Sequence, residues 1–465
     1  MKRTFDLQRD AFGRQHLSDE HVRRDRLQRL LALTQRHEAE IVAAAAADFG
    51  QRAPADTLLG DLLPTLSAIR HAQRHLRRWM APRRVPTPLH LWPGRSVVLR
   101  QARGVVGILS PWNYPWHLAL VPAAAALAAG NRVMLKPSEY TPAVSALLGR
   151  LVAERFDVAE LAVIQGGAAV AGEFAALPFD HLFFTGSTAI GRKVALAAAR
   201  NLTPVTLELG GKSPAIFGAG GDLAEYARRL VVGKLLNAGQ TCIAPDYALV
   251  PAGRSDAVAA AIAAAVERLY PDLDRGADYT GIASDAQYAR LLGLLQDARG
   301  RGARLIECLP GGRRPDPATR RLPPTLVLGL DPDAALMQEE IFGPVLPILE
   351  YRTLDEAIGF VNARPRPLAL YWFGRDRTSR DRVLAQTLSG GVCVDDCLWH
   401  IGVEDLPFGG VGDSGMGAYH GERGFLTFTH EKAVFVQSRF SGLALVRPPF
   451  GRRFQALGRI LRRIV

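Results

Sequence analysis

The spacing of apolar residues predicts a helical N-terminal region up to about residue 80. Apolar side chains recur there at helical intervals among Arg and Glu, as at Leu27, Leu30, Leu31 and Leu33, and an alanine-rich run follows from Ile41 to Ala47. Such amphipathic helices need a partner surface, so we expect them to pack on elements further along the chain.

The stretch 82–101 has a different pattern. It holds four prolines and ends in the apolar run Val97 to Leu99, followed by Arg100. This pattern predicts an extended excursion that leaves the core, not a core helix or strand.

Short β-rich runs alternate with helical runs from residue 104 to Gly210. The predicted strands are Val105 to Leu109, Arg132 to Lys136, Leu161 to Ile164, His181 to Thr185 and Val205 to Leu209. The predicted helices cover 118–129, 142–155, 169–176 and 188–200. This alternation is typical of a parallel sheet with right-handed crossovers, and ligands bind at the carboxyl ends of such strands.

A second series of strands and helices begins at Ala215 to Phe217, includes predicted helices at 223–236 and 256–268, and runs to about residue 415. We therefore predict an α/β protein with two α/β domains. A chain of 465 residues with 48% hydrophobic and 22% charged residues is large enough for two or three globular domains.

The net charge of +12 raises the question of nucleic-acid binding. Most of the positive charge is arginine scattered along the chain, without a long basic block or an RNA-binding motif, so we predict no nucleic-acid partner. Four cysteines are too few for a disulfide framework, and no second pair completes a zinc site, so we predict no metal. The polar N-terminus and the shortness of the apolar runs predict a cytoplasmic protein.

Cys242 is the candidate nucleophile. It follows Asn237 to Thr241, a loop of small residues in which Gly239 allows a tight turn. A thiol near a helix or a cluster of backbone amides gains thiolate character, and its own N–H can face an oxyanion. An inert buried cysteine is the alternative.

Glu208 and Asn113 are the candidates for proton transfer and oxyanion binding. Glu208 ends a predicted strand, where it acts either as a general base or as a partner of Lys212. Asn113 lies in a loop between Pro111 and Pro115 that follows another strand. The prolines would fix its amide as a donor, although an Asn at this place also serves as a turn residue.

Two further segments are candidates for binding a nucleotide. Phe184 to Gly191 passes from a strand through Gly186 and Ser187 into a helix, whose first-turn amides favour an anion. Lys136 and Glu139 follow the neighbouring strand and could hold ribose hydroxyls, or could form a plain ion pair.

Taken together, these segments resemble the NAD(P)-dependent aldehyde dehydrogenase superfamily. The strings that carry the resemblance are PWNYP at 111–115, KPSE at 136–139, FTGST with Gly191, ELGGKSP at 208–214, GQTC at 239–242 and EEIFGPV at 339–345. The string PFGGVGDSGMGAYHG at 407–421 is similar to the class 3 branch, which includes bacterial coniferyl aldehyde dehydrogenases.

The resemblance implies a Rossmann-type NAD(P) domain (1–80 and 102–208), a catalytic domain (209–415) and a small β element for bridging and dimerisation (82–101 and 430–441). It also implies that Cys242 attacks an aldehyde, that Asn113 and the Cys242 N–H hold the oxyanion, and that Glu208 activates water to hydrolyse the thioester. A homodimer follows from the same resemblance.

The cofactor implied is NAD, with NADP not excluded. The implied cofactor contacts are Trp112, Lys136, Glu139, Gly186, Ser187, Gly191, Leu209, Gly210, Glu340 and Phe342. Lys136 and Glu139 would lie at the adenosine ribose, Gly186 and Ser187 at the pyrophosphate, and Glu340 and Phe342 at the nicotinamide ribose. Because a carboxylate repels a 2′-phosphate, Glu139 favours NAD.

For the substrate, we expect Tyr114, Trp116 and Trp399 to form an apolar funnel, with His400 as a further contact, suited to aromatic or medium-chain aldehydes. Asp395 stands where class 3 relatives usually have Asn, and we expect it to add charge on the substrate side.

Two alternative functions stay open from the sequence. The thioester could be resolved by coenzyme A, although Glu208 argues for hydrolysis. The chain could also be a non-catalytic binding protein, since 442–465 is a basic tail and 452–465 has apolar residues at helical spacing among arginines, a pattern that suits weak contact with a membrane surface.

Overall fold

The computed structural model describes residues 1–15, 18–440, 447, 448, 450–452, 454 and 455. The tail predicted at 442–465 therefore lies largely outside the described residues, and its contact with a membrane stays a prediction. Within the described residues, no helix is long and apolar enough to cross a membrane.

The N-terminal region is helical, as the spacing predicted. Its helices are α1 (Lys2–Arg14), α2 (Glu20–Arg36), α3 (Glu38–Phe49), α4 (Pro54–Thr57), a π-helical turn (Leu58–Leu62) and α5 (Leu63–Met80). They pack on the region that follows: the Gln8 amide donates to the carbonyl of Val133 at 2.9 Å, and buried Arg26 pairs with Glu160 at 3.0 Å.

The later helices alternate with strands. They are α6 (His117–Ala128), α7 (Pro142–Arg155), α8 (Ala168–Ala175), α9 (Thr188–Ala199), α10 (Leu223–Leu235), α11 (Ser255–Leu269), α12 (Asp285–Gly300), α13 (Ala335–Gln338), α14 (Leu354–Asn362), α15 (Arg377–Gln386) and α16 (Gly421–Thr427). Helix α6 is buried on almost every side, which suits a segment without charged residues.

The strands are β1 (Arg83–Val85), β2 (Arg95–Ala102), β3 (Val105–Leu109), β4 (Arg132–Lys136), β5 (Leu161–Val163), β6 (His181–Thr185), β7 (Val205–Glu208), β8 (Pro214–Phe217), β9 (Tyr247–Pro251), β10 (Arg304–Glu307), β11 (Thr325–Leu328), β12 (Val345–Tyr351), β13 (Ala369–Phe373), β14 (Gly391–Val394), β15 (Gly415–Met416) and β16 (Thr429–Val436). Predicted strand and helix ends before Gly210 agree with these bounds to within one residue.

Three sheets organise the described residues. The first has the order β15-β7-β6-β3-β4-β5, and its strands are parallel except for β15. The second has the order β10-β11-β12-β9-β8-β13-β14 and is parallel except for β10. The α/β architecture predicted from the sequence is confirmed, because parallel strands with intervening helices form both large sheets.

The third sheet has the order β1-β2-β16 and is antiparallel. It explains the proline-rich excursion: the segment leaves the core to pair with a strand from the far end of the chain, with Ala102 opposite Thr429 and Arg95 opposite Val436. Phe435 and Val436 on β16 are exposed. The domain limits given above stay predictions.

Candidate active site

A cavity of about 770 Å³ opens at the carboxyl ends of β3, β6 and β7. Its wall brings together residues that are far apart in sequence, including Asn113, Glu208, Cys242 and Glu340. Parallel strands end at the same edge of a sheet, which is why the loops after them meet here. The three candidate catalytic residues from the sequence therefore share one cavity.

Cys242 reaches the cavity because the chain turns sharply after α10. Asn237 (φ 51°), Ala238 (φ 53°) and Gly239 (φ 76°) are all left-handed. A side chain at Gly239 would place its Cβ 2.5 Å from the carbonyl oxygen of Gly343, so glycine is required there. The buried Gln240 fixes the turn, since its amide donates to the carbonyl of Gly281 at 3.1 Å.

The sulfur of Cys242 faces the backbone N–H groups of Cys242 and Ile243. Burial nevertheless raises the pKa of the thiol to about 12, and the carboxyls of Glu340 and Glu208 act in the same direction. The two N–H groups lower the pKa of the thiol, as the sequence predicted for an amide cluster, but the effect of burial is larger.

Asn113 is held by the loop that carries Cys242. Its side-chain amide donates to the carbonyl of Gln240 at 3.1 Å, and the amide of Asn237 donates to the carbonyl of Asn113 at 3.1 Å. A carboxamide has two N–H donors, so one bond to Gln240 orients the group and leaves the second donor for a ligand.

Glu208 ends β7 and is 2% exposed. Neither carboxyl oxygen has a hydrogen-bond partner, and burial raises the pKa of Glu208 well above its usual value. Lys212 does not neutralise it. The Lys212 ammonium instead bonds the carboxylate of Asp246 and the carbonyl of Leu336, the latter at 2.6 Å.

The predicted cofactor residues divide into two groups. Trp112, Gly186, Ser187, Leu209, Gly210, Glu340 and Phe342 line the cavity. Lys136, Glu139 and Gly191 do not appear in its wall. Lys136 is buried and pairs with Glu139 at 3.0 Å, and Gly191 lies against Leu209, whose methyl carbon would be 2.6 Å from an added Cβ.

The cavity fits a dinucleotide. The hydroxyl of Thr185, at the end of β6, is buried without a partner, and the next residues lead into the N-terminus of α9, where N–H groups lack helical partners. Glu340 lies against Gly210, where an added Cβ would be 2.0 Å from the carboxyl oxygen, and burial raises its pKa to about 8. Phe342 packs edge-on to Trp112 at 5.3 Å.

The aromatic residues predicted for the substrate funnel lie elsewhere. Trp116 is fully buried and its indole donates to the hydroxyl of Thr34 at 3.2 Å. The Tyr114 hydroxyl bonds the hydroxyl of Thr241 at 2.6 Å, next to Cys242. Neither side chain lines this cavity, since Trp116 contacts Thr34 of α2 and the Tyr114 ring lies against Gly60 of the π-helical turn. The substrate funnel stays a prediction. Trp399 is 62% exposed.

The carboxylate of Asp395 makes hydrogen bonds within the protein. Its carboxylate accepts the N–H of Gly374 at 3.1 Å and is hydrogen-bonded to the hydroxyl of Tyr226. The residue also has a left-handed φ of 57°. Asp395 does not line this cavity, and its effect on the substrate side stays a prediction.

The sequence analysis gave no role to Tyr419 or His420. Both lie in the PFGG motif, both are buried, and the Tyr419 hydroxyl and both ring nitrogens of His420 lack partners. Both ring nitrogens of His400 also lack partners, and its ring stacks on Phe408; His400 does not line the cavity, and its contact with a substrate stays a prediction. Only the tertiary structure shows that these polar groups are unsatisfied. Among the described residues, no cluster of His, Cys, Asp or Glu could hold a metal ion.

Comparison with known proteins gives the family to which the chain is similar. The sequence model of the aldehyde dehydrogenase family matches residues 2–434. A Caulobacter vibrioides protein named probable coniferyl aldehyde dehydrogenase is 48% identical over 431 residues, covering 91% of this chain and 89% of that protein. The coniferyl aldehyde dehydrogenase of Pseudomonas sp. strain HR199 is 45% identical over 444 residues, covering 95% and 92%.

Solved structures show the same fold. The substrate-bound Staphylococcus aureus AldH has a TM-score of 0.93 and 38% identity, and the match covers 99% of each chain. The Mycobacterium tuberculosis aldehyde dehydrogenase complexed with NAD+ has a TM-score of 0.84 and 30% identity, covering 94% of this chain and 90% of that one.

Proposed function

Because this chain belongs to the aldehyde dehydrogenase family and oxidises aldehydes to acids with NAD as cofactor, we propose that Cys242 is its nucleophile. We further propose that its substrates are aromatic aldehydes of the coniferyl type or medium-chain aliphatic aldehydes. The observation that carries the assignment of residues is the convergence of Cys242, Asn113 and Glu208 on one cavity. Two relatives named for coniferyl aldehyde support the substrate class.

The first half of the reaction forms a bond between the sulfur of Cys242 and the aldehyde carbon. The thiol loses its proton to solvent, the carbonyl π bond opens, and the oxyanion is held by the free N–H of the Asn113 amide and by the Cys242 backbone N–H. When the carbonyl re-forms, hydride leaves the carbon. NAD+, when bound, supplies the acceptor for that hydride.

The second half releases the acid. Glu208 has no partner inside the protein, so its carboxylate is free to take a proton from water as that water attacks the thioester. The carbon–sulfur bond then breaks and the sulfur of Cys242 leaves. An environment that raises the pKa of Glu208 makes the carboxylate a stronger base than one in water.

For the cofactor, we propose that Lys136 and Glu139 bind the adenosine ribose, that Gly186 and Ser187 lie at the pyrophosphate, and that Glu340 and Phe342 lie at the nicotinamide ribose. The ion pair between Lys136 and Glu139 supports NAD over NADP, since the carboxylate would repel a 2′-phosphate.

The assembly is also a proposal. Strand β16 is an edge strand with exposed Phe435 and Val436, and an edge of this kind is suited to pairing with a second copy of the chain as a homodimer. A cytoplasmic location and membrane-surface contact through 452–465 stay predictions from the sequence.

The test is an assay of purified protein with NAD and then NADP on coniferyl-type, medium-chain and short charged aldehydes. We expect Cys242→Ala to abolish turnover. Cys393 is half-buried and lies outside the cavity, so the control variant Cys393→Ala should retain turnover. The product should be free acid. Acyl-CoA as the product would contradict the role of Glu208, and activity on short charged semialdehydes alone would contradict the substrate class.

A further inference from the structure

Three charged side chains from the N-terminal region are buried beneath the active site. Arg52 is 4% exposed, Asp56 is 6% exposed and Asp61 is 1% exposed. They lie just before and within α4 and the π-helical turn, far in sequence from every residue that the proposed reaction uses. Buried charges are costly unless they are paired, so their contacts show what holds them there.

Asp61 binds the start of α6. One carboxyl oxygen accepts the N–H groups of Trp116 and His117, both at 3.0 Å, and the other accepts from Arg52 at 2.9 Å. The first N–H groups of a helix have no partner within the helix, and a carboxylate is the favoured group to satisfy them. Asn113 lies three residues before Trp116, so Asp61 fixes the segment that carries the oxyanion donor.

Asp56 binds the opposite side of the site. Its carboxylate accepts the hydroxyl of Thr280 and the backbone N–H of Asn237. Asn237 is the first residue of the left-handed turn that leads to Cys242, and its own amide donates to the carbonyl of Asn113. Asp56 therefore fixes the loop that supplies the other oxyanion donor.

Arg52 connects Asp61 to the loop that carries Cys242. Besides its ion pair with Asp61, its guanidinium lies over the ring of Tyr114 at 5.4 Å, and the Tyr114 hydroxyl bonds Thr241 at 2.6 Å. Asp56 lies in α4 and Asp61 in the π-helical turn that follows it directly, so one short segment carries both carboxylates.

We propose that Asp61, Arg52 and Asp56 are positioning residues that set the distance between the two oxyanion donors, the Asn113 amide and the Cys242 N–H. This inference rests on the proposed function. The two donors come from different parts of the chain, one after β3 and one after α10, and the segment 52–61 contacts the backbone on both sides. An oxyanion hole needs both donors at about 2.7–3.1 Å from one atom, so a small displacement of either is expected to slow the reaction strongly.

The test is a double-mutant cycle between Asp61→Asn and Asn113→Ala in the full chain. The readout is the rate at which one equivalent of reduced nicotinamide forms in a single turnover with an aldehyde that the wild type oxidises. We expect Asp61→Asn alone to lower this rate roughly 10- to 100-fold and Asn113→Ala roughly 100- to 1000-fold. If Asp61 acts through Asn113, the double variant is no slower than Asn113→Ala. Independent effects that multiply would overturn the inference.

A control separates positioning from general stabilisation. Asp48 accepts the N–H groups of Ala143 and Val144 at 2.8 and 2.9 Å, so it caps α7 as Asp61 caps α6, but α7 carries no proposed catalytic residue. We expect Asp48→Asn to lower the melting temperature without slowing the single turnover at saturating NAD+. An equal slowing by Asp48→Asn would show that any lost cap has this effect and would overturn the inference.

Asp61→Asn leaves Arg52 buried beside a neutral group, which threatens folding. Tyr114→Phe tests the same chain of contacts with a milder change, because it removes only the hydroxyl bonded to Thr241. We expect Tyr114→Phe to slow the single turnover several-fold in the wild-type background. Added to Asn113→Ala, it should cause no further slowing. An unchanged rate in folded Tyr114→Phe would overturn the link through Arg52. A wild type inactive on every aldehyde would refute the proposed function itself, whereas an active wild type with a multiplicative cycle refutes the positioning role alone.

Discussion

Replacing Glu340 with Gln is expected to stabilise the protein by an amount that depends on pH. Burial and the nearby Asp246 raise the pKa of Glu340 to about 8 from its usual 4.5. The folded protein then keeps this proton between pH 4.5 and about 8, whereas the unfolded chain loses it near pH 4.5. The ionisation of Glu340 therefore has no effect on stability below pH 4.5 and lowers the free energy of unfolding increasingly as the pH rises through this window.

The size of the effect follows from the same values. Each pH unit within the window costs about 1.4 kcal/mol for one proton, so at pH 7 the carboxyl lowers the free energy of unfolding by about 3 kcal/mol at most. Glu340 lines the cavity and keeps part of its surface exposed, and water there reduces the effect. We expect about 1 to 3 kcal/mol at pH 7. Gln resembles the protonated acid and has no proton to lose.

The measurement is urea unfolding of wild type and Glu340→Gln at pH 5, 6, 7 and 8, at one protein concentration and without cofactor. The difference in free energy of unfolding should be small at pH 5 and grow with pH. Glu339→Gln is the matched control, since the neighbouring Glu339 is 51% exposed and makes only a 3.6 Å pair with Arg290. A difference that is the same at pH 5 and pH 8, or an equal gain from Glu339→Gln, would refute the reasoning.

Three further predictions concern activity. Glu208→Gln should still form one equivalent of reduced nicotinamide in a single turnover but lower the steady-state rate about 100- to 10000-fold, because only hydrolysis needs the base. An equal loss of the single-turnover and steady-state rates would contradict this. Since burial raises the pKa of Cys242 to about 12, the single-turnover rate should rise from pH 6 to pH 9, and a flat profile would show that loss of the thiol proton does not limit this step. Glu139→Gln should raise the ratio of kcat/KM for NADP over NAD about tenfold by freeing Lys136 for a phosphate, while the exposed Glu154→Gln leaves the ratio unchanged.

The sequence was sufficient to predict the fold class and most element boundaries before Gly210. Alternating apolar runs specify parallel strands, and the C-terminal edges of those strands specify where a site lies. Asn113 and Glu208 could be placed at this edge because one follows a strand and the other ends one, whereas only the resemblance to the family brought Cys242, which follows α10, to the same site. The same argument correctly placed Gly186 and Ser187 in the cavity wall.

The orientation of side chains could not be obtained in this way. Trp116 was expected at the mouth of the cavity, but the turn at Asn113 starts α6, and the next aromatic side chains point into the N-terminal helices. The protonation of Cys242 depends on how completely the loop is desolvated, which is a property of the assembled cavity. The role of Asp61 depends on contacts between residues 55 positions apart, which no local pattern reveals.

The contrast between Lys212 and Glu208 shows how the tertiary structure decides chemistry that the sequence leaves open. The two residues are four apart, and a salt bridge between them would have made Glu208 a structural group. The chain instead enters β8 directly after Lys212, where the N–H of Asp246 bonds the carbonyl of Ser213 at 2.7 Å, and this places the Asp246 carboxylate beside the Lys212 ammonium. Two carbonyl oxygens saturate the remaining donors of Lys212. Glu208 is thereby left buried without a partner, at a cost in stability. A carboxylate in such a place binds a proton strongly, which is the property that a general base for water activation requires.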